Sequence, residues 1–232
     1  MIAEVPEIAT GRGNAPPGLS YADDVVLLHG FMGAPWTMRF MAAYLRRQGF
    51  VPWPLWYESW ATSFEGIVRR LCAMIERHGL GRDRPVHFVG HSMGGLIARV
   101  VVARLSLPAM GRMVMLGTPN GGSEIADFCT RTRMLRPLLG RAGPALVTQR
   151  TLPMIDHLPP PDYPVGIIAG DRPVANLLRI IPPPHDGKVS VASTHLQGET
   201  DHVVLPVSHA PMPFSGLVHR QTAHFLREGR FA

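Results

Sequence analysis

Several things that organise other proteins are scarce in this chain of 232 residues. It has two cysteines, Cys72 and Cys129, well separated and outside any redox or metal-binding spacing, so no disulfide framework is expected. Cys72 falls within a helical pattern and reads as a small core residue. No apolar run approaches the roughly 20 residues of a membrane span. The stretch Met1 to Glu7 carries acids where a secretory leader needs bases, and no apolar run follows it. These absences set the expectation of a soluble, cytoplasmic protein without stable membrane insertion. Lysine is nearly missing: Lys188 is the single one among 23 lysines and arginines. The net charge of +6 therefore comes from arginines spread along the chain with no interleaved aromatic motif, a solvated basic surface rather than a nucleic-acid face. Charged residues make up only 17% of the chain against 46% hydrophobic, which excludes a disordered chain and leaves enough apolar surface for one substantial core. No internal repeat or second domain is visible.

Glycine and proline are plentiful, and they punctuate the sequence. Residues 1–21 read as an extended lead-in, and the domain proper as residues 22–232. Val25-Val26-Leu27-Leu28 is a continuous apolar run, the pattern of a strand covered on both faces, and it ends in His29-Gly30-Phe31-Met32-Gly33. A helix is predicted from Pro35 to Gln48, closed by Gly49. Phe50–Tyr57 is a strand whose prolines make it irregular or outer. A helix over Ser63–His78 follows, then a strand from Val86, a helix from Gly95, and a fourth strand at Met113–Leu116. This alternation predicts an α/β fold, a mainly parallel sheet with helices on both faces. Its ligand site should lie at the carboxyl ends of the strands, where the glycine turns at Gly30, Gly90 and Gly117 fall. Residues 123–162 break the rhythm with short helical patches, arginines at 131, 133, 136, 141 and 150, and Pro159-Pro160-Pro161. An insertion of this length at the ligand edge reads as a small cap or lid, with a packed structural excursion as the alternative. Strands are then expected at Val165–Ala169 and His202–Val207, a β-prone run after Asp186-Gly187, and a closing helix over Leu217–Glu228.

The stretch with the most chemistry is Val86-His87-Phe88-Val89-Gly90-His91-Ser92-Met93-Gly94-Gly95. Gly90-His91-Ser92-Met93-Gly94 fits G-x-S-x-G, and its context is the right one: a β-rich run before, an amphipathic helix after. A serine on so sharp a turn occupies strained backbone angles, and side chains at the flanking positions would collide with strand or helix. The following helix aims its first N–H groups at the place where an oxyanion would form. Ser92 is the candidate nucleophile.

Such a serine needs a base, and the base needs an acid, in the chain order Ser, Asp or Glu, His. His29, His78, His87 and His91 come too early, and His87 and His91 read as strand or turn structure. His219 and His224 lie in the final helix, His195 in a polar loop, and His202 at the wrong end of a strand. His209 follows a strand at its carboxyl end and is the candidate base. Two acids compete. Asp171 directly follows a strand, while Asp186 lies in a turn about twenty residues before His209; position favours Asp186 without excluding Asp171.

Taken in order, His29-Gly30-Phe31, the Ser92 turn, Leu116-Gly117-Thr118-Pro119, Asp186-Gly187-Lys188-Val189 and His209 resemble the α/β-hydrolase fold in its lipase and esterase branch, over roughly residues 22–228. The resemblance implies a carboxylic ester hydrolase working on a small-molecule ester or acyl substrate through an acyl-enzyme, with no cofactor and no metal. It implies Ser92, Asp186 and His209 as the triad, and the backbone N–H groups of Phe31 and Met93 as the oxyanion hole. The first strand read here corresponds to the family's third, so the usual first hairpin is expected to be absent, and only a small lid replaces the large cap of classical lipases. Thioesterase or acyltransferase chemistry on the same triad is the alternative of the same class. A non-catalytic binding module or a metal site is the alternative of another class, resting on a loose C-terminal cluster of His185, Asp186, His195, Asp201, His202 and His209 that has no recognised ligand spacing.

Overall fold

The first strand, β1 (Asp24–Leu28), is buried along its whole length. Its alternate residues serve two different cores: Val25 and Leu27 join one apolar cluster, Val26 and Leu28 the other. A strand clothed on both faces is apolar along most of its length, which is why Val25–Leu28 shows a run rather than an alternation. The computed structural model describes residues 22–149, 152–173 and 180–232; the lead-in expected over 1–21 and Arg150 lie outside them.

Among the described residues six parallel strands form one sheet in the order β2-β1-β3-β4-β5-β6. The others are β2 (Val51–Leu55), β3 (Val86–His91), β4 (Met110–Leu116), β5 (Val165–Gly170) and β6 (Asp201–Leu205). Helices α1 (Arg39–Arg47), α2 (Phe64–His78) and α3 (Met93–Leu105) connect the early strands. Beyond β4 come α4 (Glu124–Arg131), the short turns α5 (Pro153–Asp156) and α6 (Val191–Thr194), and the closing α7 (Gly216–Glu228). One cluster unites α1 and α7, through Met41, Leu45, Phe225 and Leu226, with Val25, Val89, Val114 and Ile168 of the sheet. The other unites α2 and α3, through Leu71, Ile75, Leu96 and Val101, with Phe88, Met115 and Ile167. The expected helices on both faces are therefore present.

Local chemistry sets the details. In α2, Ser63 accepts a hydrogen bond from the Gly66 N–H at the N-terminus, and Gly79 closes the helix at φ 64°. Pro52 and Pro54 alternate along β2, so their missing N–H groups fall on one side of the strand. The Val51 N–H, on the other side, bonds to Asp23 at 2.9 Å. The proline side is the open edge of the sheet, where no donor is needed and strand addition is discouraged. Arg84 forks onto the buried Asp24 at 2.6 and 2.8 Å while Trp53 Nε1 donates to the same carboxylate, clamping the starts of β1 and β2.

Two expectations are corrected. The β-prone run after Asp186-Gly187 forms no strand of the sheet; it makes a single antiparallel bridge, His185 to Ser190, and turns into α6. The Asp186 carboxylate captures the N–H groups of Lys188 and Val189, and Ser190 caps Ser193, so side chains take the donors a ladder would use. The last strand ends at Leu205 instead of Val207, since Pro206 has no N–H to offer.

In four of the buried histidines, His29, His87, His91 and His219, burial pushes the pKa below its ordinary value. They remain neutral in the folded protein at pH values where the unfolded chain takes up protons. Their contribution is complete above about pH 6.5 and is lost as the pH falls below it, at a slope of at most about 1.4 kcal/mol per pH unit for each. Thermal unfolding followed from pH 7.5 to 5 should therefore show Tm falling on acidification, and His87→Gln should shallow the fall. A flat profile would contradict the neutral buried state.

Candidate active site

Strand β3 and helix α3 meet at Ser92, whose backbone lies at φ 55°, ψ −124°. That is glycine territory, and the residue holding it is not glycine. The glycines around it are fixed by contact. A Cβ on Gly90 would stand 2.5 Å from the Gly95 Cα, and one on Gly94 2.5 Å from the Leu28 carbonyl oxygen. The close crossing of α3 over β1 and β3 thus requires bare backbone at both positions. Met93 is the first residue of α3, where an N–H has no acceptor within the helix.

Asp186 and His209 are brought together at the carboxyl ends of β5 and β6. His209 Nδ1 lies 2.7 Å from Asp186 Oδ2, with both side chains almost wholly buried. A carboxylate can only accept, so Nδ1 carries the proton and Nε2 keeps its lone pair. The other carboxylate oxygen accepts from the N–H groups of Lys188 and Val189 at 2.9 and 2.8 Å. The His209 N–H donates to the Asp186 carbonyl at 2.9 Å, so ring and backbone are both tied to the same residue. Gly117 at the end of β4 makes room: at φ 54°, a Cβ there would lie 3.0 Å from Asp186 Oδ2 and 3.1 Å from His209 Nδ1.

His91, which reads in the sequence as strand or turn structure, has a further position in the fold. Its Nε2 lies 3.0 Å from the His209 carbonyl oxygen, an acceptor, so Nε2 is the protonated nitrogen. Its ring sits 4.9 Å from the His209 ring. Burial, followed by the nearby His209, pushes its pKa well below the ordinary value and keeps it neutral. His209 is therefore held at its N–H by Asp186 and at its carbonyl by His91. No signal in the sequence marks this contact, which spans 118 positions.

The remaining candidates fall elsewhere. Asp171 ends near Arg172, 3.5 Å from its Nε, and not on His209. His202 bonds Thr194 at 2.9 Å and stacks on His195 with ring centres 4.1 Å apart, at the amino end of β6. The loose C-terminal cluster is thus split between the two ends of the sheet. Among the described residues no group of three or more His, Cys, Asp or Glu side chains is placed to hold a metal ion. Nor is any described helix long and apolar enough to cross a membrane.

Ser92, His91 and His209 open onto one cavity of about 440 Å³. Gly30, Phe31 and Met32 form one side of it, and a Cβ on Gly30 would press on His91 Nδ1 at 3.0 Å and the Ser92 Cβ at 3.2 Å. Ile125, Ala126, Cys129, Leu138, Leu139 and Leu146, all from residues 123–162, supply an apolar part of its wall. Met32 of this lining is exposed, and exposed Trp36 and Phe214 adjoin the lining residues Thr37 and Pro213 in the chain, with the Phe214 ring packed against both Trp36 and Phe40.

A parallel sheet with a serine on the turn between its central strand and the following helix defines the α/β-hydrolase fold. Solved structures of that fold are similar to the chain. A lipase of Bacillus licheniformis, BlEst2 in mature form, superposes with TM-score 0.64 at 18% identity, covering 83% of this chain and 86% of that one. The thioesterase RedJ of the prodiginine pathway in Streptomyces coelicolor gives 0.56 at 20% identity, covering 93% and 91%. The phospholipase PlaB of Legionella pneumophila gives 0.59 at 16% identity, covering 75% of this chain and 44% of that one. Residues 23–143 match the family described as "Putative serine esterase (DUF676)", and the chain belongs to that family, which places it among the serine hydrolases. No curated protein sequence matches it.

Proposed function

We propose that the protein hydrolyses carboxylic esters of short to medium acyl chains through an acyl-enzyme on Ser92. The observation that carries this reading is the buried 2.7 Å Asp186–His209 pair, whose histidine lines the same cavity as a serine held at φ 55°. His209 Nε2 takes the Ser92 hydroxyl proton as Oγ bonds to the ester carbonyl carbon. The oxygen, now negative, is met by the backbone N–H groups of Phe31 and Met93. The carbon–oxygen bond to the alcohol breaks, and the alcohol leaves with the proton from His209. Water then repeats the sequence: its proton goes to His209, its oxygen bonds to the acyl carbon, and the acid departs as Ser92 recovers its proton. Asp186 stabilises the imidazolium in each half. Residues 123–162 act as a small cap whose apolar wall holds the acyl chain.

The test is a series of p-nitrophenyl esters from acetate to palmitate on the purified protein. Activity is expected to peak at short to medium chains. Shortening the 132–147 stretch should shift that preference more than it lowers acetate cleavage. Equal losses across the series would make the stretch a structural excursion, and no cleavage of any ester would overturn the proposed reaction.

A further inference from the structure

The walls of the Ser92 cavity are apolar or neutral except at one place. Among the described residues that line it, Lys188 alone carries a fixed charge, and it is the only lysine of the chain. The rest of the 23 lysines and arginines are arginines, so the one lysine ammonium stands at the cavity.

The backbone beneath this side chain is fixed from several directions. The Lys188 N–H is bonded to Asp186 Oδ1 at 2.9 Å, and its carbonyl accepts from Ser123 Oγ at 3.1 Å, at the start of α4. Ser123 also accepts from the Ala126 N–H and so ties this turn to the helix that supplies the apolar wall. The side chain itself is exposed, and no carboxylate of the described residues lies within ion-pairing distance of it. Of the nearby acids, Asp186 is engaged with His209 and two amides; Glu124 accepts from the Ser190 hydroxyl at 2.9 Å through Oε1, while its buried Oε2 has no hydrogen-bond partner and makes no ion pair with Lys188. The charge is felt inside the site, where it is one of the groups that keep His91 neutral. A cation anchored at its backbone, without an internal partner, beside an apolar pocket has the makeup of an anion subsite.

Resting on the hydrolase reading above, we infer that Lys188 binds a carboxylate or phosphate carried by the substrate, so that the preferred ester is amphipathic and anionic. The anion can sit on the acyl portion, as in a dicarboxylate monoester, or on the alcohol, as in an acylated phosphoglycerol. Both present the same charged oxygens to the ammonium.

Two matched pairs separate these sources: phenyl glutarate monoanion against phenyl pentanoate, and butyryl-glycerol phosphate against butyryl-glycerol. For the arm that matches, Lys188→Ala should lower the anionic-to-neutral ratio of kcat/KM roughly tenfold or more. Lys188→Glu should lower it further, Lys188→Arg should retain most of it, and added salt should erode it in the wild type. The ratio is the readout because any effect on the Asp186 turn divides out. The same pairs titrated by calorimetry into the Ser92→Ala protein give a ratio of affinities that needs no turnover. Absence of all ester cleavage with a lysine-dependent binding ratio would overturn the reaction and sustain the subsite. A ratio unmoved by Lys188→Ala and Lys188→Glu in both assays and both pairs would overturn the subsite.

Discussion

Ser92→Ala is expected to lower ester cleavage by roughly three to six orders of magnitude, the range for loss of a serine nucleophile that acts as a unit with its base. The fold should survive, because alanine keeps the Cβ already accommodated at φ 55° and removes only the hydroxyl. The same backbone angle supplies an internal control. A residue with a side chain is strained in that region, by something like 1–3 kcal/mol, and glycine is not. Ser92→Gly should therefore be as inactive as Ser92→Ala while melting at the same temperature or higher. Measured rates on a p-nitrophenyl ester together with Tm values for the two variants check both halves. Residual activity within tenfold of the wild type would remove Ser92 from the reaction.

Asp186→Asn should cost about four orders of magnitude, and the reason lies in which atoms the carboxylate already satisfies. Oδ1 accepts from two backbone N–H groups, so an asparagine keeps its oxygen there and presents its NH2 to His209. That NH2 can only donate. His209 Nδ1 must then become the acceptor, which moves the ring proton to Nε2 and leaves no lone pair for the Ser92 hydroxyl. Asp171→Asn should change the rate little, since Asp171 keeps company with Arg172 and not with the histidine. Rates of the two variants on one ester decide the matter. The reverse ranking would transfer the acid to Asp171.

These two predictions draw on features of unequal visibility in the sequence. The Ser92 turn was legible because bare backbone at Gly90 and Gly94 is a steric necessity that leaves a mark in composition. The central strands were legible for a similar reason: β1, β3 and β5 are buried on both faces and are mostly apolar as a result. Position favoured Asp186 but could not exclude Asp171, because both lie near the carboxyl edge of the sheet. What distinguishes them is a 2.7 Å contact between segments 23 residues apart. The β-prone run after Asp186-Gly187 forms no sheet strand because local side-chain hydrogen bonds outcompete β-propensity. The grip of His91 on the His209 carbonyl and the place of Lys188 at the cavity arise only when strands distant in the chain lie side by side. Nothing in a linear pattern encodes such contacts.

The central claim is that Ser92 is made nucleophilic by the site around it, and a fluorophosphonate reports on that directly because it bonds to an activated serine oxygen without requiring the right ester. Incubation of the wild-type protein followed by intact mass and peptide mapping should show a single adduct, on Ser92, at a rate that His209→Ala lowers sharply and that Ser92→Ala abolishes. An adduct on another residue, or labelling that persists in the Ser92→Ala protein, would contradict the account.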